Sequence, residues 1–246
     1  MTSPPASALS AQERSGADSL AADLQRVFGT RLQSVIAYNM AGVARDEEPL
    51  RTVALVERLT FEDLVACTPH ADRWHRMGVA VPLLLTGEEF FRSLDVFPLE
   101  YGEIIARHVL VWGRNPFQDA RVADGDLRRA CELQAKSHLI HLRESFLERG
   151  INPREVTRLI AASAPQFRVV LTHITQLAGG PRFAAYSDAD LAEVTERNVG
   201  VPAALVREVL SAQSGVSTIA DPTALLSRYI AASERVWDYV DSWRRE

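Results

Sequence analysis

The chain has 246 residues, of which 47% are hydrophobic and 24% are charged, and its formal net charge is −5. This composition is typical of a folded globular protein and excludes disorder over most of the chain. The acidic balance and the lack of a Lys/Arg block argue against nucleic acid as a partner. The longest apolar runs fall far short of the ~18 residues of a membrane span, so we expect no membrane partner.

The two cysteines and the N-terminal segment indicate the compartment. Cys67 and Cys131 lie in apolar helical patterns without a paired spacing, which predicts buried free thiols in a reducing compartment. The sequence leaves a disulfide between them open. Residues 1–15 are rich in Ala, Ser and Pro but lack the basic and apolar regions of a signal peptide. We therefore expect a disordered tail at 1–15 and a cytoplasmic, bacterial-type protein.

The first elements predicted are a helix and two strands. Leu20 and Leu24 recur at helical spacing and predict a helix that ends before the first strand. Residues 33–38 form an apolar run typical of a buried strand, and residues 52–59 form a second one. The polar loop 39–49 between them predicts a hairpin-like pair of neighbouring strands.

Short helices and strands follow up to residue 116. Thr60 is placed to cap a helix that continues to residue 78, and Thr86 to cap a short helix over 87–94. Between them, the apolar run 79–85 contains Pro82, which lacks a donor for the sheet and so predicts an edge or irregular strand. Segment 99–112 is rich in β-prone residues and predicts a further strand.

The pattern changes near residue 122 to helices alone. Leu127, Cys131, Ala135 and Leu139 recur every four residues and predict a long helix that Gly150 ends. Further helices are predicted to begin at Pro153, Ser187, Pro202 and Asp221. Pro165 lies inside the helix that begins at Pro153 and predicts a kink or a split there, because proline removes a backbone hydrogen bond.

These elements divide the chain into three parts. We predict a tail at 1–15, an α/β domain at 16–121 and a helical bundle domain at 122–246. The fold class is α+β, a small mixed β-sheet domain followed by an all-α helical bundle.

Four segments carry a resemblance to a known family. Residues 32–38, 93–100, 107–116 and 126–128 resemble the polymerase β-like nucleotidyltransferase superfamily. The resemblance implies an α/β domain whose active face is closed by a helical substrate domain. It also implies transfer of a nucleoside monophosphate, with Mg²⁺ held by an Asp-x-Asp pair on the second strand and by a third carboxylate.

The sequence departs from the family pattern where the chemistry would lie. The family has Gly-Ser after the first strand, and this chain has Asn39 and Met40 there. No acidic residue occurs between positions 49 and 56, so neither member of the Asp-x-Asp pair has a counterpart. The resemblance therefore implies a degenerate nucleotidyltransferase-like protein.

Three acids are candidates for a displaced catalytic set. Glu47 lies in the loop before the second strand, and either Glu100 or Glu103 could match by position the third family carboxylate, which lies on a later strand. The alternative is a structural role, with Glu47 in a solvated loop and Glu100 and Glu103 as surface residues of a strand. Mg²⁺ would be a cofactor only if these acids act together, and otherwise we expect none.

A second group of residues is a candidate for ligand contact. Asn39 and Arg45 follow the first strand, and Arg128, Glu132 and His138 lie on the long helix. His138 and His141 are three residues apart and could converge on a ligand with Glu132 or Arg128, or else line an interdomain face. None of the six histidines has metal-ligand spacing, so no metal site is predicted.

The sequence supports three hypotheses about function. The first is a catalytically degenerate protein whose cleft binds a nucleotide or small molecule, or that acts as a scaffold. The alternative is an active nucleotidyltransferase that moves a nucleoside monophosphate to a small molecule or protein through displaced acids. The third is a purely structural homodimer.

Overall fold

The computed structural model describes residues 9–38, 49–178, 186–214 and 219–243. The chain divides into two units, Met1–Ala123 and Asp124–Glu246. The first unit contains the helices α1 (Ala11–Phe28), α2 (Phe61–Cys67), α3 (Ala71–Arg76), α4 (Gly87–Arg92) and α5 (Pro98–Arg107). Its strands are β1 (Leu32–Tyr38), β2 (Arg51–Val56), β3 (Leu83–Thr86) and β4 (His108–Gly113). The second unit contains α6 (Asp124–Arg149), α7 (Pro153–Leu177), α8 (Asp188–Val199), α9 (Ala203–Ser211) and α10 (Pro222–Ser242).

The four strands form one mixed sheet with the order β3-β2-β1-β4. β1 pairs antiparallel with both β2 and β4, whereas β2 pairs parallel with β3. A small mixed sheet followed by a helical second half confirms the predicted fold class. β3 begins directly after Pro82 and lies at the edge of the sheet, as predicted. At the end of β4, Gly113 has a φ of +85°, and a side chain there would meet the carbonyl oxygen of Gln33 at 2.2 Å.

Both faces of the sheet are covered, which explains why β1 and β2 are almost continuously apolar. Val35 and Ala54 point to the side of α1, where Leu20 and Leu24 are fully buried. Trp74 of α3 completes this first layer. The opposite face of the sheet packs against α4 and α5 and is described with the candidate site below.

Helix α1 begins earlier than predicted. Ser10 caps it and forms a reciprocal capping box with Glu13, so residues 11–15 are helical and the predicted tail at 1–15 is wrong for them. Further along α1, the fully buried Asp23 accepts a hydrogen bond of 3.0 Å from Nε1 of Trp74. The same carboxylate pairs with Arg26 at 2.5 Å and contacts Arg73. These contacts attach α1 to α3.

Segment 99–112 is a helix followed by a strand, and the prediction of one continuous strand is wrong. Pro98 occupies the first turn of α5, where its missing N–H costs nothing and its fixed φ favours a helix. Tyr101 and Ile104 then lie on one helical face and are both buried. Only the last part of the segment, β4, enters the sheet. The helical spacing of the apolar residues outweighs their β-propensity here.

The helix predicted from residue 61 to residue 78 is also interrupted. Thr60 and Asp63 form the predicted cap, but α2 ends at Cys67 and a 3₁₀ turn, Thr68–His70, separates it from α3. Pro69 explains the break, because it has no N–H for the α-helical hydrogen bond. Thr86 caps α4 as predicted, again through a reciprocal box with Glu89.

In the second unit, the described residues outside the turns are helical. Ser187 caps α8 and Asp221 caps α10, as predicted from sequence. α7 runs from Pro153 to Leu177 without a split at Pro165. Cys131 of α6 and Cys67 of the first unit are both buried free thiols, as predicted. No helix among the described residues is long and apolar enough to cross a bilayer.

Candidate functional site

The second strand of the sheet is where the family resemblance places a pair of metal-binding acids. Side chains on a strand alternate, so residues two apart share a face. Val53 and Leu55 form such a pair on β2, and both are fully buried against Ile36 of β1. This face of the sheet therefore presents hydrocarbon side chains where the resemblance implies metal-binding acids.

A cluster of aromatic rings covers this face. The ring of Phe90 from α4 stacks on Tyr101 of α5, with centroids 4.5 Å apart and planes 5° apart. Phe117, in the loop after β4, stacks on the other side of Phe90 at 4.8 Å. Burial raises the pKa of Tyr101 above its ordinary value, as expected for a hydroxyl in apolar surroundings. The three aromatic residues belong to the same buried hydrophobic cluster as Val53 and Leu55.

The residues on this face do not fit a divalent cation. Mg²⁺ requires oxygen ligands, and neither Val53 nor Leu55 has one. Across the four described ranges, no group of three His, Cys, Asp or Glu side chains is arranged to hold a metal ion. No step of a metal-assisted reaction can be assigned to these residues.

The described structure includes two of the three candidate catalytic acids, both on α5. Glu47 lies outside the described residues. Glu100 and Glu103 lie on α5 and not on a strand, so the predicted match to a strand carboxylate is wrong. Glu100 is exposed in the first turn of this helix, where an acid stabilises the helix dipole. Glu103 is buried one turn later.

The described structure includes three of the five candidate ligand contacts, all on α6. Asn39 and Arg45 lie outside the described residues. Arg128 pairs with Glu132 at 3.0 Å on α6 and donates a hydrogen bond of 3.2 Å to the carbonyl of Val240 on α10. His138 instead faces the interior of the helical unit. The structure thus joins Arg128 to Glu132 but does not bring His138 to them.

His138 is part of a buried network between three helices. Its Nε2 lies 3.0 Å from the hydroxyl of Tyr229 on α10, and its ring stacks on Phe167 of α7 at 5.6 Å. The Tyr229 hydroxyl donates a hydrogen bond of 3.4 Å to the carbonyl of Ser163. Burial lowers the pKa of His138 to about 4, with a smaller contribution from the charge of His141. His138 is therefore neutral at physiological pH and has a structural role.

The low pKa of His138 predicts a pH-dependent stability. In the unfolded chain this histidine titrates near 6.5, so between about pH 6.5 and 4 the unfolded state binds more protons than the folded state. The free energy of unfolding should therefore fall by about 3 kcal/mol as the pH drops through this window, and then level off. Urea denaturation at several pH values measures it. For His138→Gln, which cannot titrate at this position, the free energy of unfolding should change less with pH. If the free energies of the variant and the unchanged protein fall in parallel, His138 is not the group responsible.

A surface pocket of about 440 Å³ lies next to the aromatic cluster in the first unit. Phe91 and Leu94 form its apolar wall. Its polar wall comes from the loop after β4 and consists of Asn115, Gln118, Asp119 and Arg121. Asp119 and Arg121 are exposed and form no ion pair with any described residue. The pocket is within the size range of small-molecule sites and offers both an aromatic ring and a free guanidinium group.

Sequence reasoning did not find this pocket. The turn at residues 113–116 indicates only the end of a strand, and Arg121 carries no motif. The pocket forms because the loop after β4 returns to the end of α4, a contact between segments about 25 residues apart that local patterns do not encode.

No known family model matches this sequence, and no curated protein matches it. Among solved structures, the chain is similar to a spectinomycin adenyltransferase from Enterococcus faecialis, determined with ATP and spectinomycin. The two chains share 10% sequence identity at a TM-score of 0.49, over 90% of this chain and 98% of that chain. At this level of similarity, function has to be inferred from the residues of the chain itself.

Proposed function

We propose that this protein is a catalytically degenerate nucleotidyltransferase-like protein that binds a nucleotide or a similar small ligand, either as a binding protein or as a scaffold. The observation that carries the proposal is the Val53 and Leu55 pair. These side chains occupy the i and i+2 positions of β2, where Mg²⁺ would need two carboxylates, and both are fully buried. A transferase without its metal ligands loses the group that offsets the triphosphate charge.

The pocket beside the aromatic cluster is the ligand site that we infer. The exposed part of the Phe91 ring can stack on a base, and every nucleobase has a face for such stacking. Arg121 can form paired hydrogen bonds to a phosphate group. Asn115 and Gln118 supply donors and acceptors for the base or the sugar. Asp119 opposes accumulation of negative charge, which favours a ligand with one phosphate over one with three.

Calorimetric titration with ATP, GTP, CTP, UTP and the monophosphates, with and without Mg²⁺, tests this function. We expect binding that does not require the metal, and no release of pyrophosphate from any triphosphate. Metal-dependent binding with pyrophosphate release would establish the alternative, an active transferase that uses displaced acids such as Glu47, Glu100 and Glu103. Absence of binding by every nucleotide would leave the purely structural hypothesis.

Two variants locate the ligand. Arg121→Ala and Phe91→Ala should each weaken binding at least about tenfold, a loss of about 1.4 kcal/mol. Arg92→Ala is the matched control, because Arg92 is exposed, pairs with Glu88 on α4 and does not line the pocket. If Arg121→Ala and Phe91→Ala bind the nucleotide as tightly as the unchanged protein does, the pocket is not the ligand site. The proposal of a degenerate nucleotide-binding protein would then still hold, with its site elsewhere.

A further inference from the structure

Helix α6 carries an exposed apolar stripe with a seven-residue period. Leu133, Ile140 and Leu147 are 73%, 40% and 81% exposed, respectively. Residues seven apart lie on nearly the same side of a helix, so these three form a line about 21 Å long. The opposite side of α6 packs inside the unit through buried residues such as Cys131 and Leu142. One apolar residue at every seventh position keeps a single line of apolar side chains on one side of α6, where a partner helix can contact it.

Charged residues of opposite sign flank this apolar stripe. On one side is a cationic row of Arg129, Lys136 and Arg143, each four residues before a member of the stripe. On the other side is an acidic row of Glu144 and Glu148. The cationic row is held on the α10 side, because Lys136 lies over the ring of Trp237 and Arg143 pairs with Glu234. The two flanks of one helix face are therefore electrostatically different.

We propose that the stripe is the contact surface of a homodimer, in which α6 of one copy packs parallel to α6 of a second copy. Rotating the helix by 180° about an axis parallel to itself places the cationic row of one copy beside the acidic row of the other. Arg143 of each copy then stands opposite Glu144 of the other copy. The surface is complementary to itself in charge as well as in its apolar centre.

Charge decides the orientation of the two helices. In an antiparallel pair, the two-fold axis is perpendicular to α6. Each charged row then lies on the same side of the pair as the equivalent row of the other chain. If such a pair is centred on Ile140, Lys136 of one chain lies beside Arg143 of the other. Like charges facing each other disfavour that arrangement. α6 has 26 residues and is about 39 Å long, enough for the complete stripe and both rows to engage in the parallel arrangement.

Sedimentation equilibrium of the full chain, from about 1 to about 200 µM, tests the proposal. We expect the mass to rise from the monomer value of 27.2 kDa towards twice that value. The double variant Leu133→Glu/Leu147→Glu should raise the dissociation constant at least about tenfold. Glu144→Lys/Glu148→Lys, which makes both flanks cationic, should weaken the dimer and regain affinity in high salt. Phe61→Glu is the matched control, since Phe61 is equally exposed but lies on α2.

Disulfide trapping tests the orientation. In the parallel dimer the two copies of residue 147 face each other, so Leu147→Cys should form a covalent dimer under mild oxidation. In an antiparallel pair centred on Ile140 these residues would be about 21 Å apart and could not link. The unchanged protein should stay unlinked, because Cys67 and Cys131 are buried. A protein that remains monomeric at every concentration, or a dimer that the stripe variants leave intact with normal circular dichroism, would overturn the proposal.

Discussion

Aspartate at both Val53 and Leu55 is expected to unfold the first unit and not to create a metal site. The two side chains are fully buried in the hydrophobic cluster that includes the aromatic rings. An unpaired carboxylate in such surroundings costs several kcal/mol, whether it stays charged or takes up a proton. Two of them exceed about 5 kcal/mol, which is comparable with the total stability of a typical domain.

Circular dichroism and urea denaturation of Val53→Asp/Leu55→Asp measure this effect. We expect loss of the cooperative transition of the first unit, with no gain in Mg²⁺ affinity by calorimetry. Leu83→Asp is the matched control, because Leu83 is an exposed residue on the edge strand of the same sheet. The control should lose no more than about 1 kcal/mol. A double variant that folds normally and binds Mg²⁺ would show that this face of the sheet can admit a metal.

Sequence patterns predict the elements of this protein where local signals agree. Two reciprocal capping boxes, at Thr60 and Thr86, mark helix starts, and the apolar runs mark β1 and β2. The patterns fail where two local preferences conflict. Segment 99–112 combines β-prone side chains with a helical start at Pro98, and the helix forms because Tyr101 and Ile104 can be buried together on one side of it.

The candidate site is only partly readable from the sequence. The lack of acids on β2 is a property of one short segment and is evident directly. The aromatic cluster is not evident, because Phe90, Tyr101 and Phe117 come from three separate segments and meet only in the folded unit. His138 is a second example of a role that the sequence does not reveal. Its spacing to His141 suggests a shared ligand, but the two side chains lie in different surroundings on α6. His138 is buried, whereas His141 is exposed and pairs with Glu144.

Asp23 shows how a charged residue can hold the first unit together. Its carboxylate is fully buried, although Asp is seldom found in that state without partners. Trp74 donates a hydrogen bond to it, and Arg26 and Arg73 supply positive charge. His70 lies 3.8 Å away and stacks on Trp74. All but Arg26 of these partners come from the segment 70–74, so the carboxylate connects two parts of the chain about 50 residues apart.

Replacing Asp23 by alanine should therefore destabilise the first unit by about 3–5 kcal/mol, because it leaves the indole N–H without its acceptor and the Arg73 guanidinium without its opposite charge. Asp23→Asn, which keeps an acceptor oxygen but loses the charge, should cost less. Asp18→Ala is the matched control, since Asp18 lies on the same helix, is exposed and pairs with Arg14 only at 4.0 Å. That variant should remain within about 1 kcal/mol of the unchanged protein. Urea denaturation followed by tryptophan fluorescence reports the change directly at Trp74, and equal midpoints for Asp23→Ala and Asp18→Ala would show that the buried carboxylate does not hold α1 to α3.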